Sequence, residues 1–441
     1  LLMHRFLYLT VFSIFLSFTT YAQILPERDR AALVDKILEE RFKRVLPDVM
    51  SRTGIDMWVL ITREYNEDPV VRTMLPATWL NARRRTMLVF YWDEDRFKLE
   101  KLAVARYNIG ENITSAWDKE KQPDQWEALM QLIEEHDPEK IALNYSDSYG
   151  IADGISKTDY ELFMKALPET YKNKVVSAEA LAVGWIETRS ALEMQLFEEL
   201  VGITHDIIQE AFSSKVITPG KTTTEDVVWF FRQKVTEMGL DTWFHPTVDI
   251  QRSNEPLESH ITAFTNHSEG QVIQPGDLLH CDFGISYLRL NTDCQEHAYV
   301  LKEGETKAPD FLEEAFKKGN QVQDIFTSNF ATGKTGNEIL LKSLAEAKSA
   351  GLQPSIYTHP LGLYGHSAGP TIGMWDAQEG VPGPGDYPLY EHTAYAIELN
   401  TTVNIPQWGK DIRIMLEEDG FWGPKGFKYI NKRQEELILI D

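Results

Sequence analysis

Two short stretches, Pro275–Gly284 (PGDLLHCDFG) and Asn291–Gln295 (NTDCQ), restrict the fold of this chain more than any other feature. Asp282 and Asp293 stand 11 positions apart. Leu278–Gly284 and Leu290–Val300 read as two strands that reverse tightly around Tyr287 and Leu288. An antiparallel hairpin centred there puts Asp282 directly opposite Asp293 on one face. Aspartate is a poor strand former, and facing carboxylates repel unless a proton or a cation lies between them. Two solvated, turn-proximal aspartates are the plainer alternative. By the same centre Cys281 and Cys294, the only two cysteines, face each other on the opposite side. They are either packed thiols or a cross-strand disulfide.

Other acids sit in comparable surroundings further along. Ala394–Val403 (AYAIELNTTV) reads as one strand carrying Glu398 in an apolar run. Asp411–Asp419 (DIRIMLEED) reads as another, in which Arg413, Met415 and Glu417 share one face and Glu418 takes the other. A rim carboxylate on an edge strand is the bland reading of each. Eight of the 11 histidines fall between residues 245 and 392, and His366 lies between glycines that allow close approach (GHSAG). A satisfied loop or core histidine is the alternative there. Asp282, Asp293, His366, Glu398 and Glu417 together form an oxygen-rich set with one imidazole. Such a set suits two hard or borderline divalent ions better than a lone structural zinc. Paired ions sharing carboxylates are suited to amide hydrolysis.

Composition narrows the remaining choices. With 441 residues, 43% hydrophobic and 25% charged, the chain is neither disordered nor fibrous. A formal charge of −23 argues against a phosphate-neutralising face for nucleic acid and disfavours anionic lipid. Two cysteines cannot make a disulfide-rich scaffold or a four-cysteine zinc site. Residues 1–22 have a charged start at His4 and Arg5, an apolar run from Phe6 to Phe18, and Ala22 as a small cleavage residue. They read as a signal peptide, with an uncleaved anchor as the alternative, so a periplasmic or secreted protein beginning at Gln23 is expected, with no stable membrane insertion after cleavage. Residues 23–185 read as an α/β domain, with a helix over 24–52, strands at Met57–Thr62, Met87–Trp92, Lys98–Ala105 and Lys140–Asn144, and helices at Trp126–Glu134 and Asp159–Leu167. From residue 186 to 441 long amphipathic helices, Thr188–Phe212 and Thr223–Gly239, precede a β-rich region with helices near 308–331 and 335–350.

The ordered acids and histidine resemble those of the pita-bread metallohydrolases, which include methionine aminopeptidase, aminopeptidase P, prolidase and creatinase. The resemblance runs from about residue 186 to the end and takes in Ile186–Glu193 (IETRSALE) and Ile217–Gly220 (ITPG). The two-part layout is similar to the aminopeptidase P and prolidase branch. It implies an α/β (α+β) architecture, with a creatinase-like N-terminal domain before a curved, mainly antiparallel sheet covered by helices. It implies that Asp282 chelates one ion, that Asp293 and Glu417 bridge both, and that His366 and Glu398 bind the second. Glu398 would also exchange protons with a bridging hydroxide, Arg413 would orient the ligands, and His267 and His359 would hold the substrate carbonyl.

The implied activity is an exported dinuclear aminopeptidase that cuts the N-terminal bond of Xaa-Pro peptides. Manganese is the first choice of ion, with cobalt, zinc and iron open. A peptide is the expected partner, nucleic acid is not, and a homodimer is a family-level expectation. The alternative is a creatinase-like C–N hydrolase or a catalytically silent binding protein of the same fold. This chain departs from the family where Glu398-Leu-Asn replaces Glu-Pro-Gly, where Arg413-Ile-Met-Leu precedes Glu417, and where Cys294-Gln-Glu follows Asp293. It departs again where Trp375 stands at a position usually held by histidine.

Overall fold

The computed structural model describes residues 24–257 and 270–441, so residues 1–22 and His267 lie outside the described residues. The first sheet is built from β1 (Met57–Arg63), β2 (Arg85–Asp93), β3 (Lys98–Ala103), β4 (Thr114–Ser115), β5 (Ile141–Leu143) and β6 (Val175–Ser177). Its spatial order is β4-β3-β2-β1-β5-β6, antiparallel between β1 and β2 and parallel between β1 and β5. β1 is apolar without alternation because it is covered on both faces. Trp58 and Leu60 pack into one core with Phe42 and Leu46, whereas Met57, Val59 and Ile61 pack into another with Leu129 and Ile133.

The sequence predicts one helix over 24–52, and the backbone instead divides it. Glu27–Glu40 and Leu46–Thr53 are α-helical, while Arg41–Val45 between them forms a π-type stretch. That local widening seats Arg41 inside the protein at 2% exposure, where its guanidinium pairs with Glu193 at 2.8 Å. Glu193 also meets Arg189 at 3.1 Å and closes the capping box of helix Ala191–Ala211 with Ser190. The IETRSALE segment therefore ties the N-terminal sheet layer to the rest of the chain through one buried carboxylate between two guanidiniums. The capping patterns at Thr223 with Asp226 and Thr335 with Glu338 form in the same way.

In the second half, β7 (Thr247–Gln251), β8 (Leu278–Phe283), β11 (Cys294–Val300) and β19 (Ile438–Ile440) pair in the order β19-β11-β8-β7. Between β8 and β11 lies a small hairpin, β9 (Ser286–Tyr287) and β10 (Leu290–Asn291). β12 (Pro354–Ile356), β15 (Leu399–Ile405) and β16 (Lys410–Leu416) form a second sheet; β13 (His359–Leu361), β14 (Thr393–Ala396), β17 (Asp419–Gly423) and β18 (Gly426–Tyr429) form a third. Helices Ala191–Ala211 and Thr224–Glu237 pack on the first of these sheets, and Asp310–Ser328 and Gly336–Ser349 on the others.

Two expectations about these strands change. The reversal falls at Leu288 and Arg289, both with positive φ, one residue later than expected. Asp282 is consequently paired with Gln295, Cys281 with Glu296, and Cys294 with Phe283. The register differs by two residues, which preserves the face of every side chain but removes the opposition of the thiols. Cys281 and Cys294 are buried free cysteines, not a disulfide. Second, the runs around Glu398 and Glu417 are not single strands. β14 ends at Ala396 and β15 starts at Leu399; β16 ends at Leu416 and β17 starts at Asp419. β12 and β13 are interrupted at the same level, where Tyr357 N–H donates to the Glu398 carbonyl and Ile397 N–H to the Glu418 carbonyl. Three neighbouring strands thus leave one sheet and enter the next along a common line. That bend is the concavity in which the acids collect.

Candidate metal centre

Each acid reaches the concavity from a strand end. Asp293 follows the β9–β10 hairpin just before β11, and Glu398 and Glu417 occupy the breaks in the two other chain runs. Backbone pairing of Gln295 with Glu417, with N–H to O distances of 2.9 and 3.3 Å, draws β11 against the β16–β17 junction. His359 opens β13 opposite Ala396. Its Nδ1 lies 3.0 Å from the Pro360 carbonyl, which suits an N–H donor there and leaves Nε2 as the free lone pair. That Nε2 stands 3.5 Å from Asp293 Oδ2 and 3.6 Å from Glu417 Oε1. Ligand atoms of Asp293, His359 and Glu417 all lie within 4.8 Å of one another, spacing that fits a shared ion.

The remaining acids complete the lining. The carboxyls of Asp282 and Asp293 act on each other electrostatically, so the two-residue register difference still brings them together diagonally. Glu398 is half-buried at the open side, as is Asp282, whereas Asp293 and Glu417 are buried. Burial first, and then mutual repulsion, raises the carboxyls of Asp293 and Glu417 well above the ordinary range. Burial likewise pushes Asp282 up to about 6 and Glu398 up to about 8, with His359 opposing the rise at both. Asp282 Oδ1, Asp293 Oδ1, Glu417 Oε1 and His359 Nε2 are buried without a hydrogen-bond partner. A cluster of carboxyls that cannot all ionise together, with orphaned oxygens and an imidazole lone pair turned inward, fits divalent cations by donor chemistry.

The surroundings include residues that sequence reasoning passed over. The Gln295 amide donates to Glu398 Oε1 and to Glu417 Oε2, both at 2.7 Å, and its oxygen lies 2.9 Å from His280 Nε2. A neutral amide carries no ligand signal in a sequence, and here only its place two residues after Asp293 pointed towards the centre. His297 is bonded at both nitrogens, to the Leu279 carbonyl and the Met415 N–H, and is a structural tie. Trp243 donates from Nε1 to the Thr292 carbonyl at 2.9 Å and lies over Gly365, where a Cβ would meet its ring at 2.3 Å.

His366 is solvent-exposed, with its ring centroid 4.6 Å from that of His359 and 5.2 Å from that of Trp243. It therefore stands one ring outside the acids, and His359 is the imidazole that meets them. The Arg413 charge is felt at Tyr357, whose buried phenol accepts from Asn400 Nδ2 at 3.1 Å and lies near Glu398 and Glu417. The Arg413 backbone is held at both its N–H and carbonyl by Gln251.

The family description Metallopeptidase family M24 matches residues 195–418. A comparison with curated protein sequences found no match. Among solved structures, X-Pro aminopeptidase from Thermotoga maritima MSB8 is similar over 88% of this chain and 99% of its own, at 15% identity and a TM-score of 0.60. Xaa-Pro dipeptidase from Bacillus anthracis is similar over 92% of this chain and 99% of its own, at 17% identity and a TM-score of 0.54. The N-terminal domain of FACT complex subunit SPT16 from Cicer arietinum (chickpea) is similar over 94% of this chain and 99% of its own, at 9% identity and a TM-score of 0.52. At these identities the likeness is one of fold.

Proposed function

The chain belongs to metallopeptidase family M24, and from that premise we propose that it is an exported exopeptidase with two divalent ions that removes the N-terminal residue of Xaa-Pro peptides. The observation that carries the reading is the set of orphaned atoms on Asp282, Asp293, Glu417 and His359 in one concavity. Asp282, Asp293, Glu398 and Glu417 would hold the ions with His359, and manganese suits so oxygen-rich a set. When bound, the ions supply Lewis-acid polarisation of the scissile carbonyl and acidify a water.

The protein's own groups divide the remaining work. Asp293 and Glu417, fully enclosed, are limited to holding charge. Glu398, half-exposed at the mouth, can take a proton at its carboxylate and return it to the leaving nitrogen. Gln295 keeps Glu398 and Glu417 in place through its two donors, and His280 keeps Gln295 from turning. We assign His359 to the ion and His366 to the substrate side, the reverse of what motif order implies. His366 and Trp243 then form a wall against which the residue after the scissile bond would rest. Export to the periplasm or medium rests on the character of residues 4–22.

A second reading, a metal-free protein of this fold, is favoured by Gln295, whose amide nitrogen lies where it bridges two carboxyls. Peptide products separate the two. Manganese-loaded protein is expected to release the first residue from Ala-Pro and from longer Xaa-Pro peptides, as identified by mass spectrometry. Cleavage of other peptides with Xaa-Pro left intact would refute the specificity, and no cleavage of any peptide would favour the second reading. His359→Ala should lose bound ions, while His366→Ala should keep them and lose turnover.

A further inference from the structure

Strand alternation gives this centre a reverse side. Asp293 and Glu417 face the concavity, so their neighbours Cys294 and Glu418 project through the opposite face of the same strands. There they meet His205 of helix Ala191–Ala211. His205 Nε2 lies 2.9 Å from Glu418 Oε2 and 3.7 Å from Cys294 Sγ, and Glu296 Oε1 approaches it at 3.8 Å. Exposure is 1% for His205, 1% for Glu296 and 0% for Cys294 and Glu418. One nitrogen, one sulfur and one oxygen from the three residues fall within 4.8 Å of one another. Beside them, Glu296 Oε2 and His205 Nδ1 are buried without a partner. The other Glu418 oxygen is already engaged, accepting from the Gln434 N–H at 2.7 Å, which fixes the carboxylate's orientation.

We propose that His205, Cys294 and Glu418 form a separate site for a single borderline divalent ion such as zinc, with Glu296 as the fourth donor. The donor set differs in kind from that in the concavity. A thiolate with an imidazole selects a softer ion than clustered carboxylates do, and four donors with no open side describe a closed structural site. Charge points the same way. Glu296 and Glu418 act on one imidazole, Asp419 adds its charge at Glu418, and Lys432 is the cation whose charge reaches His205 and Glu296. A divalent ion would offset that excess and release the thiol proton to solvent on binding. Such a site would pin the long helix to β11 and to the β16–β17 junction, the two places from which Asp293 and Glu417 project.

Cobalt(II) titration of the full chain tests this, because the cluster in the concavity contains no thiol. The wild type should develop a near-ultraviolet thiolate-to-cobalt band that zinc displaces. Cys294→Ser and Glu418→Gln should each bind one ion fewer by elemental analysis, and Cys294→Ser should lack the band. Cys281→Ser should retain it. A folded wild type without the band overturns the proposal, as does a band that survives Cys294→Ser or follows Cys281. Should a variant fail to fold, the wild-type spectrum still decides, since an ion pair between His205 and Glu418 alone gives no such band.

Discussion

Replacing Gln295 by methionine keeps the volume of the side chain and removes its amide. In the wild type that amide makes two donor contacts of 2.7 Å to carboxyls and one acceptor contact of 2.9 Å from His280. Loss of an outer partner of this kind weakens ion affinity by about 10–100-fold. That corresponds to about 1.4–2.7 kcal/mol. Separately, the His280 N–H is left buried without an acceptor, which costs about 1–3 kcal/mol of folding stability. Manganese titration by calorimetry and urea unfolding with and without the ion separate the two effects. The metal-centre account expects Gln295→Met to weaken binding by at least tenfold and to reduce the stabilisation that manganese confers. Unchanged affinity alongside a large loss of ion-free stability would refute it, because Gln295 would then substitute for a cation and not orient its ligands.

Three further outcomes follow from other parts of the molecule. Glu193→Ala leaves Arg41 and Arg189 buried without their shared carboxylate and should cost about 3–5 kcal/mol by urea unfolding; a loss below about 1 kcal/mol would contradict the role given to the segment. Glu187 is buried, and burial foremost pushes its carboxyl up to about 7 against the pull of Arg52, Tyr387 and Arg189. Its folded value lies above the ordinary 4.5, so the stability it contributes is complete below that value and is lost as pH rises through about 7. Glu187→Gln should remove up to about 3 kcal/mol of that fall relative to wild type, leaving the falls from the other raised carboxyls, Asp68 and the acids of the concavity among them; identical pH profiles would refute the assignment. Gly365→Ala would place a Cβ 2.3 Å from the Trp243 ring, so the indole must move and give up Thr292, at about 1–3 kcal/mol. Peptide cleavage should fall while ion content holds, and unaltered cleavage would argue against the Trp243–His366 wall.

Much of this arrangement was legible because period-two patterning survives small errors. Asp282 and Asp293 share a face whether the hairpin turns at Leu288 or a residue earlier, since a shift of two in pairing does not exchange faces. The partner across the ladder was not legible. Leu288 and Arg289 adopt positive φ without the Asn-Gly signature that marks such turns. The bend that creates the concavity is silent for a different reason. Ile397 and Leu399 on either side of Glu398 are as apolar as any strand interior, and the change of sheet is imposed by packing of neighbouring runs. The π-type stretch at Arg41 is similar, because no glycine or proline within it announces the widening. Motif order selected His366, but which imidazole meets the acids depends on the tether from the Pro360 carbonyl to His359, a contact between neighbours that no spacing rule registers.

We propose that the acids around Asp293 exist to hold divalent ions used in cleavage. It is tested most directly by counting ions in the Cys294→Ser protein, purified without chelators so that no thiol-held ion is included, and assaying the same sample on an Xaa-Pro peptide. Two equivalents per chain are expected, with both the ions and the cleavage removed by exhaustive chelation, restored by manganese, and absent in Asp293→Asn. A folded, ion-free protein that still cleaves the peptide, or an Asp293→Asn protein with full ion content, would contradict it.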